Sequence, residues 1–142
     1  MSKLKISTKG RYGLTIMIEL ARHYGSGPIS LKVIAEQNDL SVHYLEQLAA
    51  PLRNAGLIKS IRGAYGGYVL VEEPAKIKAG DIIRVLEGPL ILVEGIEKEE
   101  PAKQALWLKM TEAVKEVLNT TTLADLTEDQ KKDNNEQYMF YI

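Results

Sequence analysis

Cysteine is absent from the 142-residue sequence, and only two histidines, His23 and His43, are present. The absence of cysteine excludes disulfides, thiolate catalysis and cysteine-ligated zinc or iron–sulfur sites, and it removes the most direct route to redox sensing. Neither histidine belongs to a carboxylate–histidine motif. We therefore expect no metal site, no cofactor and no catalytic residue.

Long apolar runs are also missing. No segment is long enough to span a bilayer, and the opening segment MSKLKISTKGRYG lacks the apolar core of a signal peptide. The sequence contains neither a phosphate-binding loop nor a nucleophile–base pair, so we do not expect an enzyme. With 45% apolar and 26% charged residues, we expect a cytoplasmic protein with one ordinary domain and an appendage.

The net charge of −1 is unevenly distributed. Residues 1–71 contain 9 Lys+Arg and 4 Asp+Glu, a net charge of +5, whereas residues 72–142 contain 9 Lys+Arg and 15 Asp+Glu, a net charge of −6. A chance imbalance on a solvated surface is one explanation. The basic half also contains the motif described next, and this coincidence favours binding to DNA.

Residues 30–56 predict two helices that meet at a tight corner. Ser30 and Ser41 are helix N-cap candidates, and the turn formers Asn38 and Asp39 lie between them. Gly56 ends the second helix as a glycine that tolerates positive φ. Each helix has one apolar face, formed by Leu31, Ile34 and Ala35 in the first and by Leu45, Leu48, Ala49 and Leu52 in the second.

The second helix, called the reading helix below, leaves its polar side chains available for DNA. Pro51 removes an N–H from this helix and predicts a bend or an interruption, so its first half would form the contact surface. A carboxylate at Glu46 accepts from a cytosine amino group and repels phosphate, which predicts a role in discrimination. The expected DNA contacts from this segment are Ser41, His43, Tyr44, Glu46, Gln47 and Arg53.

A β-hairpin is predicted after the reading helix. Residues 57–62 and 68–71 are rich in β-branched and aromatic types, and the flexible sequence Gly-Ala-Tyr-Gly-Gly separates them. Helix, turn, helix and hairpin together form the winged-helix arrangement, in which the hairpin tip reaches the DNA backbone or minor groove. Lys59, Arg62 and Tyr65 are the expected contacts of this wing.

The segment before the motif predicts a core helix. Ser7 or Thr8 caps it, and its apolar stripe consists of Leu14, Met17, Ile18 and Ala21. Lys9, Arg11 and Tyr12 lie beside the positive end of the helix dipole, which suits a DNA phosphate. Two solvated cations are the alternative interpretation.

The acidic half predicts two further helices. The first is closed by Gly88–Pro89, and the second begins at Pro101 and has an apolar stripe too broad for a small domain to cover alone. We expect this stripe to form a homodimer, and packing within one monomer is the alternative. The expected dimerisation residues are Leu106, Trp107, Met110, Ala113, Val114, Val117 and Leu118.

The predicted fold is therefore mainly α with a small β-hairpin: a winged helix-turn-helix with a long C-terminal dimerisation helix. Residues 1–74 form the DNA-binding domain, residues 75–126 form the dimerisation helices, and residues 127–142 form a flexible tail with an apolar end.

Four segments support a resemblance to a known family: STKGRYGL at 7–14, YLEQL at 44–48, LRNAGLIKSIRGAYGGYVL at 52–70 and GDIIRVLEGP at 80–89. They resemble the Rrf2-type winged-helix transcription regulators typified by IscR and NsrR. The resemblance implies a dimer that crosses its long C-terminal helices and binds a palindromic operator. Many members ligate an iron–sulfur cluster through three cysteines between the fourth and fifth helices, but residues 89–101 contain none.

Within that family, the resemblance implies a repressor of cysteine-biosynthesis and sulfur-uptake genes that acts with cysteine synthase, CysK, and is relieved by O-acetylserine. Serine acetyltransferases insert a C-terminal isoleucine into the CysK active site, so we expect Tyr141 and Ile142 to bind CysK. An apolar end packed on its own dimer is the alternative. A winged-helix protein-interaction module without specific DNA binding is the alternative for the whole protein.

Overall fold

The computed structural model describes residues 5–128. It confirms the predicted mainly helical fold with one two-stranded sheet. The elements in chain order are α1 (Thr8–Arg22), α2 (Leu31–Asn38), α3 (Val42–Asn54), β1 (Ile58–Ile61), β2 (Gly67–Leu70), α4 (Ala79–Glu87) and α5 (Pro101–Thr120), with short 3-10 turns at Pro74–Lys76 and Ile96–Lys98.

Serine caps define the starts of the first three helices. The hydroxyls of Ser7, Ser30 and Ser41 each accept a backbone N–H of the first helical turn, with a donor–acceptor distance of 3.2 Å in all three cases. Asp39 adopts the left-handed conformation at the corner between α2 and α3, and Gly56 has a φ of +79° just after α3. These local expectations are confirmed because short polar side chains and glycine satisfy helix ends without tertiary help.

Pro51 does not interrupt the reading helix, so that part of the prediction was wrong. α3 runs without a break through Pro51 to Asn54, and the Pro51 carbonyl accepts from the backbone N–H of Ala55 at 3.0 Å. Proline removes one helical hydrogen bond. The burial of Ala49 and Leu52 on either side of it holds the helix against the core and offsets that loss.

The hairpin is joined to the segment that precedes α2. β1 and β2 pair antiparallel, and Tyr68 of β2 also exchanges two backbone hydrogen bonds with Ile29, at 2.9 and 3.1 Å. Ile58 and Leu70 are buried beneath the sheet. A Cβ at Gly67 would lie 2.4 Å from the Ile29 carbonyl carbon and oxygen, so this close approach requires glycine.

The core lies between α1, α3, the hairpin and α4. The predicted α1 stripe is partly confirmed, because Met17 and Ala21 are buried whereas Leu14 and Ile18 are only half-buried. The helix is rotated slightly from the predicted orientation. The largest fully buried side chains are Ile16, Met17, Ile34, Leu45, Leu52, Ile58, Ile82 and Leu123.

α5 packs along α4 and is followed by a segment that returns to the core. The backbone N–H of Ala79 donates to Thr121 at 2.8 Å, and that of Leu123 donates to Ile77 at 2.9 Å. Leu123 is fully buried, and residues 123–128 are helical. The tail was predicted from residue 127, and its expected contacts Tyr141 and Ile142 lie outside the described residues.

None of the helices within residues 5–128 combines the length and apolar character needed to cross a bilayer.

We predict that Gly67→Ala destabilises the fold by about 1–3 kcal/mol, because the new methyl group must push the Ile29 backbone away and loosen the wing. Chemical denaturation measures the free energy of unfolding. Ser60→Ala, at an exposed position on the opposite strand, is the control and should change it by less than about 0.5 kcal/mol. Equal stability of both variants would contradict the role assigned to Gly67.

Candidate nucleic-acid interface

The polar face of α3 is free because the opposite face is buried. The apolar residues Leu45, Leu48, Ala49 and Leu52 are all buried. Opposite them, the side chains of the predicted contacts point to solvent or are half-buried: Ser41, His43, Glu46, Gln47 and Arg53 are exposed, and Tyr44 is half-buried. The first turns of α3 therefore offer hydrogen-bonding groups to a base edge, as a helix in the major groove requires.

His43 and Gln47 form a side-chain pair on this face. The Nε2 atoms of the two side chains lie 3.4 Å apart, one helical turn from each other. Glu46 lies between them in sequence and is also exposed. The three side chains provide donors and acceptors, and the contact between His43 and Gln47 limits how these two can approach a base.

The start of α1 joins the same surface. The Tyr44 hydroxyl donates to the Thr8 hydroxyl at 3.1 Å, and the rings of Tyr12 and Tyr44 meet edge to face with their centroids 6.0 Å apart. The guanidinium carbon of Arg11 lies 5.8 Å from the centre of the Tyr12 ring. The structure therefore brings the two tyrosines and an arginine, predicted separately from two helices, into one cluster.

The positive end of α1 is already satisfied by a carboxylate that sequence reasoning missed. Glu87 Oε1 accepts from the backbone N–H groups of Ser7 at 2.9 Å and Gly10 at 3.1 Å, and also from the Ser7 hydroxyl. These backbone N–H groups are therefore not available to the DNA phosphate that was predicted at this helix end. The side chains of Lys9 and Arg11 are exposed, and they supply positive charge without the dipole.

The wing presents a basic and aromatic tip. Lys59 and Arg62 are exposed, and Tyr65 is 94% exposed at the end of the hairpin. The tip closes through a hydrogen bond from the Gly66 N–H to the Gly63 carbonyl at 3.0 Å. An aromatic ring this exposed has little packing role, so its position at the tip favours contact with a nucleic acid.

A cleft of about 480 Å³ separates the reading helix from the wing. Arg53 crosses part of it, because its guanidinium donates to the Tyr68 hydroxyl at 3.3 Å. Lys32 of α2 also borders the cleft and is exposed. Lys32 was not predicted as a DNA contact, since α2 was interpreted only through its apolar face.

These surfaces together define a winged-helix DNA-binding protein. The model of the Rrf2 family, described as an iron-dependent transcriptional regulator, matches residues 6–129. The chain belongs to the Rrf2 family of transcriptional regulators, as the resemblance implied. It is a DNA-binding transcription regulator, and its relatives are named as regulators rather than enzymes.

Individual relatives cover nearly the whole chain. The HTH-type transcriptional regulator CymR of Bacillus subtilis is 68% identical over 98% of this chain and 100% of its own length. The structure of CymR, the global cysteine regulator of B. subtilis, matches with a TM-score of 0.85 and 71% identity over 89% of this chain and 98% of that chain. IscR of T. potens matches with a TM-score of 0.80 and 51% identity, covering 97% of each chain.

The residues of this chain do not fit an iron centre of the kind that the family description implies. The sequence has no cysteine, and residues 5–128 contain no cluster of three or more His, Asp or Glu side chains that is arranged to hold a metal ion. The carboxylate of Glu87, just before residues 89–101, is engaged by the start of α1. No step of the function is therefore derived through iron.

We predict that Arg62→Ala weakens operator binding by about 1–3 kcal/mol without unfolding the protein, because a guanidinium at the wing tip is lost from a groove or base edge. Fluorescence anisotropy with a labelled operator measures the affinity. Lys98→Ala removes the same charge from an exposed position beside α5 and is the control. If both variants bind as wild type does, Arg62 is not a DNA contact.

Proposed function

We propose that the protein represses transcription by binding a palindromic operator as a homodimer. The proposal rests mainly on the surface formed by the polar face of α3, the basic start of α1 and the wing tip. In this proposal, residues 1–74 bind DNA and residues 75–126 form the dimer. The expected DNA contacts are those predicted from the sequence, with Lys32 added from the structure.

The exposure of α5 supports the homodimer. No side chain of this 20-residue helix is buried by residues 5–128. Leu106 is 50% exposed and Val117 is 61% exposed, which is unusual for the apolar positions of a long helix. Coverage by the same helix of a second subunit accounts for these positions most simply.

The predicted dimerisation residues fall on two adjacent faces of α5. Half-buried residues turn toward the rest of the same subunit, and they include Trp107, Met110, Val114 and Leu118. Leu106, Ala113 and Val117 are exposed on the neighbouring face. Met110 lies where the two faces meet, and the positions 106, 110, 113 and 117 alternate in steps of four and three, which is the spacing of a helix–helix seam. We assign the subunit contact to this seam.

We predict that Val117→Asp converts the dimer to a monomer, because an unpaired carboxylate in the seam costs several kcal/mol. Leu108→Asp is the matched control. Leu108 is 51% exposed and lies about two and a half turns from Val117, on the opposite side of α5. Light scattering should report a monomer for the first variant and a dimer for the second. Two dimers, or two monomers, would overturn the assigned seam.

We further propose that the operators lie upstream of cysteine-biosynthesis and sulfur-uptake genes. The support is the near full-length similarity to a relative whose structure is described as that of a global cysteine regulator. Mobility-shift assays with DNA from upstream of such genes test this proposal directly. If the folded dimer shifts none of these DNA fragments, the result would favour a protein-interaction module over a repressor.

The proposed corepressor is CysK, bound through Tyr141 and Ile142. The support comes from the sequence: an apolar end follows a polar segment, and it ends in isoleucine as the CysK-binding peptides of serine acetyltransferases do. The peptide and O-acetylserine would compete for one active site. Abundant O-acetylserine would therefore dissociate the complex by mass action and relieve repression.

We predict that deletion of Ile142 abolishes CysK binding, because it removes the side chain and shifts the carboxylate that the active site would take. Isothermal titration calorimetry measures the affinity, with added O-acetylserine as a competitor. Gln137→Ala, within the same segment, is the control and should bind as wild type does. If the shortened chain binds CysK as tightly as wild type does, the proposed contact is refuted. Unchanged operator affinity of the same chain would show that DNA binding does not depend on Ile142.

A further inference from the structure

Glu87 joins two parts of the molecule that are far apart in sequence. It is the last residue of α4, and its carboxylate accepts from Ser7 and Gly10 at the start of α1. The side chain is half-buried. Hydrogen bonds from backbone N–H groups to a carboxylate are strong, and a negative charge at a helix N-terminus is stabilising. Glu87 therefore sets the position of the first turn of α1 relative to α4.

The fit around this carboxylate is close. A Cβ at Gly10 would lie 2.7 Å from Glu87 Oε1 and 2.9 Å from Ile6 Cγ2. The missing side chain at Gly10 is what lets the carboxylate reach the backbone of α1. A cap supplied by the helix's own Ser7 hydroxyl is already present, so Glu87 adds a tertiary link beyond the local cap.

The same turn of α1 contacts the reading helix. Thr8 follows Ser7 and accepts the Tyr44 hydroxyl at 3.1 Å, and the Tyr12 ring lies against the Tyr44 ring. Tyr44 lies in the first turn of α3. One turn of α1 is therefore held by Glu87 through its backbone and contacts the DNA-binding end of α3 through its side chains.

The chain that follows Glu87 leads to α5, the helix that carries the proposed subunit contact. Gly88 follows it with a φ of +80°, and the chain then passes through residues 89–100 into α5. Two contacts form a short route from the end of α4 to the DNA-binding surface: Glu87 contacts the start of α1, and the start of α1 contacts Tyr44. Each step of this route is a direct contact.

We infer that Glu87 is a positioning residue for operator recognition, which orients the start of the reading helix through the first turn of α1. This inference rests on the proposed binding of an operator. Glu87 contacts no DNA in this scheme. Its effect is on the geometry of Tyr44 and its neighbours, and so on the preference for operator over other DNA.

Glu87→Ala tests the inference against a variant with the same change of charge. Glu94→Ala is the matched control, because Glu94 is exposed in the loop before α5 and its removal strengthens attraction to any DNA equally. We expect operator affinity to fall about tenfold relative to this control, while affinity for random DNA stays equal in the two variants. A folded Glu87→Ala protein with the control's operator affinity would overturn the inference.

Two further variants separate positioning from simple stabilisation. Glu87→Gln keeps an oxygen acceptor but loses the negative charge that strengthens these hydrogen bonds, so its operator affinity should lie between those of wild type and Glu87→Ala. Thr8→Val removes the acceptor for Tyr44, so combining it with Glu87→Gln should weaken operator binding less than the product of the two single effects. Strict additivity of the two changes would show that Glu87 does not act through Tyr44. Both variants remain informative if Glu87→Ala does not fold.

Hydrogen exchange in the absence of DNA gives an independent measurement. In Glu87→Gln, we expect faster exchange at the amides of Gly10 and Tyr44, with unchanged exchange in the buried part of α3 around Leu48. Uniformly faster exchange would indicate a global loss of stability and would reject the positioning role. If the wild-type protein fails to prefer any operator, the proposed function fails, and this measurement still decides whether Glu87 and the reading helix are coupled.

Discussion

Burial of one face of α3 is the constraint on which the DNA-binding surface depends. Leu45, Leu48 and Leu52 pack against α1, α4 and β1, and each fully buried leucine contributes about 1.5–3 kcal/mol. Rotation of the helix would bring these side chains into water. The core therefore holds the polar residues of the opposite face at the surface, and the contact of Tyr44 with Thr8 of α1 adds a second constraint at the start of the helix.

Close contact between α1 and α4 depends on small residues in the same way. A Cβ at Gly13 would lie 2.0 Å from Leu86 Cδ1, and Gly10 admits the Glu87 carboxylate. The two glycines let the helices approach until a side chain of α4 reaches the backbone of α1. The helix that leads toward α5 is thereby joined to the helix that supports the reading helix.

The loop between α4 and α5 is held by polar contacts without cysteine. The Gln104 side chain of α5 donates to the carbonyls of Glu99 at 2.8 Å and Glu97 at 3.3 Å, and Gly95 adopts a φ of +69° within the loop. The Gln104 amide satisfies these backbone carbonyls and thereby holds the loop near the helix without a metal ion. The family fold is thus compatible with a loop that cannot ligate an iron–sulfur cluster.

Local chemistry allowed the sequence by itself to determine the helix starts, the corner at Asp39, the wing and the apolar face of α3, because caps, turns and periodicity act over a few residues. The effect of Pro51 was misjudged, since packing around Leu52 outweighs one missing hydrogen bond. Periodicity also identified the apolar residues of α5 without separating the half-buried from the exposed ones, because packing within the subunit and the proposed contact between subunits use the same residue types. Only the tertiary structure placed Glu87 at the start of α1, about 80 residues away in the chain, since no local pattern records which distant donors a carboxylate will meet.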